Sequence, residues 1–67
     1  MFKKDETIES EIILNGNVDW ENQLEDLKES FNDFYLISFI KNYRQDIGVC
    51  YHVFKFSHTV EVNFNYN

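Results

Sequence analysis

The sequence predicts an α+β fold: a single helix packed on a three- to four-stranded, mainly antiparallel sheet in the order β-α-β-β-β. Three observations lead there. One segment, and only one, carries a clean helical stripe; apolar residues alternate with period two after it; and the chain has no Pro, no repeat and no internal linker to divide it. At 67 residues this is one domain spanning residues 1–67, with room for only a small core.

The elements follow in chain order. Residues 7–14 can be read two ways, since Ile8, Ile12 and Leu14 share a strand face while Ile8 and Ile12 also stand at helical spacing. The β-branched pair Ile12-Ile13 and the turn formers Asn15, Gly16 and Asn17 favour a strand. Trp20, Leu24, Leu27 and Phe31 recur at i, i+4, i+7 and i+11, one face of a helix expected over 19–32. Asp19 is its expected N-cap, Glu21 suits the positive end of the helix dipole, and Asn32 is the expected left-handed stop. Strands are expected over 35–44 and 49–57, joined by Gln45-Asp46-Ile47-Gly48. A last strand over 59–66 alternates Val60, Val62, Phe64 and Tyr66 with polar residues. A three-residue loop at Ser57-His58-Thr59 would pair Phe56 with Val60 and Phe54 with Val62. The expected core is Trp20, Leu24, Leu27, Phe31, Phe54, Phe56, Val60, Val62 and Phe64.

The register of the central hairpin decides what the far face of the sheet carries, because a slip of one residue exchanges the faces. A two- or four-residue loop sets Phe39 opposite Phe54 and Ile37 opposite Phe56, leaving Leu36, Ile40, Val49, Tyr51 and Val53 outside. A three-residue loop sets Ile40 opposite Phe54 and leaves Tyr35, Ile37, Phe39, Tyr43, Tyr51 and Val53 outside. Both remain open. In either case the second face keeps apolar residues that one helix cannot cover, unless the N-terminal segment folds over them.

Charge narrows the function. Six Lys and Arg stand against twelve Asp and Glu, a net of −6. Residues 1–33 carry −7 and residues 34–67 carry +1, so the acidity belongs to one half. Direct binding to nucleic acid or to an acidic membrane is excluded, since both need a cationic footprint. No apolar run approaches the ~18–20 residues of a membrane span and none follows Lys3 and Lys4, so a cytoplasmic protein without a signal peptide is expected. One cysteine, Cys50, excludes a disulfide framework.

Catalysis finds no purchase in this sequence. Cys50 and His52 share a strand face, but His58 lies six residues on, about 20 Å away along a straight strand, too far to share an ion. No glycine-rich loop cradles a phosphate, and no nucleophile has a base and an orienting third group. A non-enzymatic protein with no metal and no cofactor is expected. The alternating Phe and Tyr could suggest a stacking platform for single strands, but Lys41, Arg44 and Lys55 make no basic groove.

What stands out is the acidic side of the helix. On a helical projection that takes Trp20 as its origin, Glu21, Glu25 and Glu29 fall in one row, with Asp26 and Asp33 beside it. All five occupy the arc away from the apolar stripe. The i, i+4 steps set successive carboxylates about 6 Å apart along the axis, comparable with phosphates along a strand. A solvated face kept acidic for solubility is the plainer explanation. Glu9 and Glu11 would extend the field if 7–14 lay beside the helix.

Asn, Ile, Lys, Phe and Tyr make up 30 of the 67 residues and Ala is absent, the usage of an AT-rich coding sequence. With its small size, acid-rich helix and aromatic sheet, the chain resembles the phage-encoded DNA-mimic inhibitors. That resemblance implies an acidic protein in the host cytoplasm that occupies the DNA- or RNA-binding surface of a basic host protein. A histone-like nucleoid protein, a nuclease, a transcription factor or a defence effector would be such a target. The partner-binding residues would be Glu21, Glu25, Asp26, Glu29, Asp33, Glu9 and Glu11. The alternatives are a structural or oligomerising domain, a homodimer included, acting through the exposed apolar sheet face, and an immunity-type partner of a toxin.

Overall fold

The computed structural model describes residues 2–64, in the order β1 (Phe2–Asn15), α1 (Trp20–Ser30), β2 (Asn32–Arg44) and β3 (Val49–Phe64). The three strands form one antiparallel sheet with β3 in the middle, in the order β1-β3-β2, and α1 lies on one face. The fold is α+β as the periodicities require, with three of the three to four strands expected and the order β-α-β-β in place of β-α-β-β-β.

The difference lies in the last third of the chain. The expected loop at Ser57-His58-Thr59 does not form, and 49–64 is one continuous strand. Its alternation never changes phase: His52, Phe54, Phe56 and His58 all turn to the helix side and are buried, while Val60 and Val62 continue on the same side, half-buried. A turn there would also leave β1 without a partner. Instead β1 pairs with β3 from Tyr51 to its end, with Phe2 opposite Phe64 and Asn15 opposite Tyr51. The pairings of Phe56 with Val60 and Phe54 with Val62 are therefore absent. β2 pairs only as far as Thr59, so a two-stranded ribbon of β1 and β3 projects beyond the helix. The chain is accordingly long and thin, 54 × 23 × 15 Å, with a radius of gyration of 15.7 Å against about 11 Å for a compact domain of this length.

Between β1 and α1 the chain turns tightly. The Asn17 N–H donates to the Asn15 side chain at 2.9 Å, and the Gly16 N–H donates to the Cys50 carbonyl at 2.9 Å. Gly16 is buried so closely that a β-carbon there would stand 2.6 Å from Cys50 and Tyr51 backbone atoms. Asp19 caps α1, accepting from the Glu21 N–H at 3.1 Å. At the other end the Phe31 N–H donates to the Leu27 carbonyl at 3.0 Å, with Phe31 already extended. The left-handed residue is Asp33 (φ 52°), not Asn32, which opens β2. Asp33 is tolerated there because its carboxylate accepts a hydrogen bond from the Thr59 hydroxyl at 2.8 Å.

The hairpin takes the four-residue loop 45–48, with Gly48 at φ 65°, Arg44 opposite Val49 and Phe39 opposite Phe54. A bulge at Ile37 then shifts the register, so that Leu36 rather than Ile37 faces Phe56 and turns inward. Neither simple register anticipates this hybrid.

The core is Leu27, Phe54 and Phe56, flanked by Ile12, Leu14, Leu24, Phe31, Phe34, Leu36 and Phe39. Aromatic rings tile it: Phe39 lies 5.0 Å from Phe54, and Phe31 lies 4.8 Å from Phe56, centroid to centroid. Trp20 is 38% exposed and sits at the margin, with its ring 5.0 Å from Phe39. Val60 and Val62 are on the ribbon rather than under the helix, which explains their partial burial. Tyr66 and the side chain of Phe64 lie outside the described residues.

Three polar contacts are built into this apolar layer. Gln23, on the buried side of α1, donates its amide to the Asn15 carbonyl at 2.7 Å. A carbonyl only accepts, so the Gln23 oxygen must face His52, whose Nδ1 lies 2.7 Å away. His52 therefore carries its proton on Nδ1 and donates to Gln23. Farther along β3, His58 Nε2 is 2.8 Å from the Ser10 hydroxyl, and its ring packs 4.7 Å from Phe31.

Candidate functional site

The helix presents two unlike sides. Gln23 and Leu27 point into the sheet, and Glu21, Glu25, Asp26 and Glu29 are exposed on the other side. Sequence periodicity and structure agree on these four. Lys28 approaches Glu25 at 3.5 Å, an exposed i, i+3 pair that holds little energy. Asp26 contributes its backbone carbonyl to the Ser30 hydroxyl at 2.8 Å, leaving its carboxylate free to face water. Three Glu at i, i+4 steps span about 12 Å of helix.

The other three acids are placed differently. Asp33 is exposed at the start of β2, but its carboxylate is engaged with Thr59 and stabilises a left-handed backbone. Glu9 and Glu11 do not extend the helix field. β1 pairs with β3 rather than lying beside α1, and it turns Ser10, Ile12 and Leu14 toward the helix layer. Alternation then sends Glu9 and Glu11 to the far face, where Glu9 is opposite Ser57 and Glu11 is opposite Lys55. The thickness of the sheet separates them from Glu21, Glu25 and Glu29.

That far face has no covering layer among the described residues. Ile13 (63% exposed), Val53 and Ile40 (50%) form one row across the three strands, with Tyr51 in the adjacent row and Tyr35 (68%) beyond Lys55. Residues 7–14 do not fold over it, because they are consumed as the edge strand β1. The sequence pointed to Tyr51, Val53 and Ile40 here but missed Ile13. The signal for Ile13 was its place beside Ile12: in a strand, two consecutive large apolar residues must face opposite ways.

Cys50, His52 and His58 share the helix-side face without converging. Cys50 is half-buried with its sulfur 3.7 Å from the Gly16 carbonyl, His52 is held by Gln23, and His58 by Ser10. Among the described residues no group of three His, Cys, Asp or Glu side chains gathers to hold a metal ion, and no pocket opens. No helix among them is long and apolar enough to cross a membrane. Comparison with protein families, with curated proteins and with solved structures finds no match to this chain.

Proposed function

We propose that the chain is a non-enzymatic acidic inhibitor, phage-encoded and acting in the host cytoplasm, that occupies the nucleic-acid-binding surface of a basic host protein. The observation that supports this reading is the alignment of Glu21, Glu25 and Glu29, with Asp26 beside them, on the solvent side of a helix pinned to a sheet. A capped helix with Leu27 buried fixes the spacing of those charges before any partner arrives, so little ordering is needed on binding. The row would stand in for a short run of phosphates. It would act first by steering, raising the rate at which a cationic surface is met, and then by pairing with Arg and Lys that nucleic acid would otherwise engage. Glu9 and Glu11 take no part in this surface, and Asp33 only borders it.

Affinity capture from a bacterial lysate at low and at high salt tests the reading. Basic nucleic-acid-binding proteins should be retained at low salt, released at high salt, and displaced by duplex DNA. Partners that stay bound regardless of ionic strength, or that lack a cationic surface, would contradict it.

A further inference from the structure

The turn between β1 and α1 contains a peptide bond with chemistry of its own. Asn15 precedes Gly16, the only Asn-Gly step in the chain, since the other glycine, Gly48, follows Ile47. In an unconstrained chain such a step deamidates spontaneously, because a glycine carries no side chain to hinder attack by its nitrogen. The Gly16 nitrogen bonds to Cγ of Asn15, the Cγ–Nδ2 bond breaks, and ammonia leaves with the Gly16 proton. Water then opens the succinimide at either of its carbonyls. Opening at Cγ gives aspartate, and opening at the main-chain carbonyl gives isoaspartate, which lengthens the backbone by one carbon.

We infer that Asn15 is a modification site that the fold keeps closed, so that deamidation waits for the chain to open. The peptide unit joining Asn15 to Gly16 is held at both of its polar atoms. Its carbonyl accepts from the Gln23 amide at 2.7 Å, and its N–H donates to the Cys50 carbonyl at 2.9 Å. Cyclisation must strip that hydrogen from the Gly16 nitrogen, yet Gly16 is buried and its acceptor is a neutral carbonyl that takes no proton. The reacting side chain is also held, its Oδ1 accepting from the Asn17 N–H at 2.9 Å. Nor can the unit rotate freely, since Gly16 lies so close to β3 that a β-carbon would stand 2.6 Å from Cys50 and Tyr51 backbone atoms.

The two products meet different fates. Aspartate keeps the backbone and an oxygen for the Asn17 N–H, on an exposed residue, so a chain carrying it still folds. Isoaspartate puts an extra carbon into the main chain where Gly16 has no room to move. It also shifts the carbonyl that Gln23 binds, and the oxygen of that same Gln23 amide satisfies buried His52. The misfit at the turn therefore reaches the core. Time spent unfolded is converted into permanent loss of the fold in that fraction of chains.

Incubation of the full chain in mildly alkaline buffer, with and without urea, tests the proposal. Peptide mapping by mass spectrometry follows the change at Asn15, and hydrogen exchange follows the Gly16 amide in the same samples. Deamidation should run at least about a hundredfold slower in the folded chain than in urea, since both reactions wait for local opening. Across urea concentrations below the melt, the slowing of deamidation and of Gly16 exchange should keep step. Asn15→Asp should fold as the native chain does by circular dichroism, whereas the isoaspartate fraction recovered from urea should fail to regain the native spectrum. Folded chain that deamidates about as fast as unfolded chain would overturn the proposal. So would deamidation that proceeds while the Gly16 amide stays protected, or an isoaspartate fraction that refolds and melts like the native chain.

Discussion

The hydrogen bonds of Gln23 give a perturbation whose size can be worked out. Gln23→Leu keeps a side chain of similar length on the buried side of α1 but removes both contacts of the amide. The Asn15 carbonyl belongs to an exposed residue and recovers a partner from water at little cost. His52 is 2% exposed and has no such recourse; its Nδ1–H is stranded. Leaving a buried donor unsatisfied costs about 1–3 kcal/mol, so about 2 kcal/mol is expected for the substitution. A domain of this length is stable by only about 3–10 kcal/mol. With a urea slope of about 1 kcal/mol/M, the midpoint should fall by about 2 M. Adding His52→Phe removes the stranded donor, and the new ring fits where the imidazole now packs, 5.1 Å from Phe39. The double variant should return most of the lost stability, with a coupling of at least about 1 kcal/mol. Urea melts of the two single variants and the double variant complete the cycle. A single variant within about 0.5 kcal/mol of native, or additive effects, would refute the assignment of Gln23 and His52 as an interdependent buried pair.

Three further substitutions have expected outcomes. Phe54→Ala empties the centre of the core and should cost about 3–5 kcal/mol, enough to leave the chain largely unfolded by circular dichroism. Gly16→Ala forces a β-carbon to within 2.6 Å of the β3 backbone and should lower the thermal midpoint well beyond an ordinary surface change, whereas Asn17→Ala beside it should lower it far less. Asp19→Ala removes the N-cap acceptor of Glu21 N–H and should destabilise by about 1 kcal/mol in a urea melt, with Asp19→Asn nearly native.

The parts of this fold legible in the sequence are those governed by local period. The α1 stripe and its Asp19 cap, the alternation of β3, and the solvent side bearing Glu21, Glu25, Asp26 and Glu29 all follow from neighbours within a few residues. What could not be read depends on partners distant in sequence. The expected turn at Ser57-His58-Thr59 rested on pairing Phe56 with Val60 and Phe54 with Val62, but β1 supplies a mate long enough to let β3 run through, and Ser10 and Thr7 stand opposite Phe56 and Thr59 across that ladder. Gln23 reads as a surface residue until Asn15 and His52 are brought to it. The bulge at Ile37 leaves no local mark, since it exists to turn both Leu36 and Phe39 inward on one strand. The placement of Glu9 and Glu11 failed for the same reason: their side of the sheet is decided by what Ile12 and Leu14 bury. The left-handed position moved by one residue, from Asn32 to Asp33, because Thr59 was there to bind the carboxylate.

The acidic face of α1 is the centre of the functional account, and one variant addresses it directly. Glu21, Glu25 and Glu29 are changed together to Gln, which keeps their size and nearly their helix propensity while removing charge. Loss of the two i, i+4 repulsions should leave the helix unchanged or firmer by a few tenths of a kcal/mol per pair. The measurement is a competition between labelled duplex DNA and this protein for the basic partner recovered at low salt, followed at several ionic strengths. The native chain should displace DNA, more strongly as salt is lowered, and the triple variant should fail to displace it, mainly through slower association. Undiminished displacement by the variant, or native protein and DNA bound together on the same target, would contradict the account.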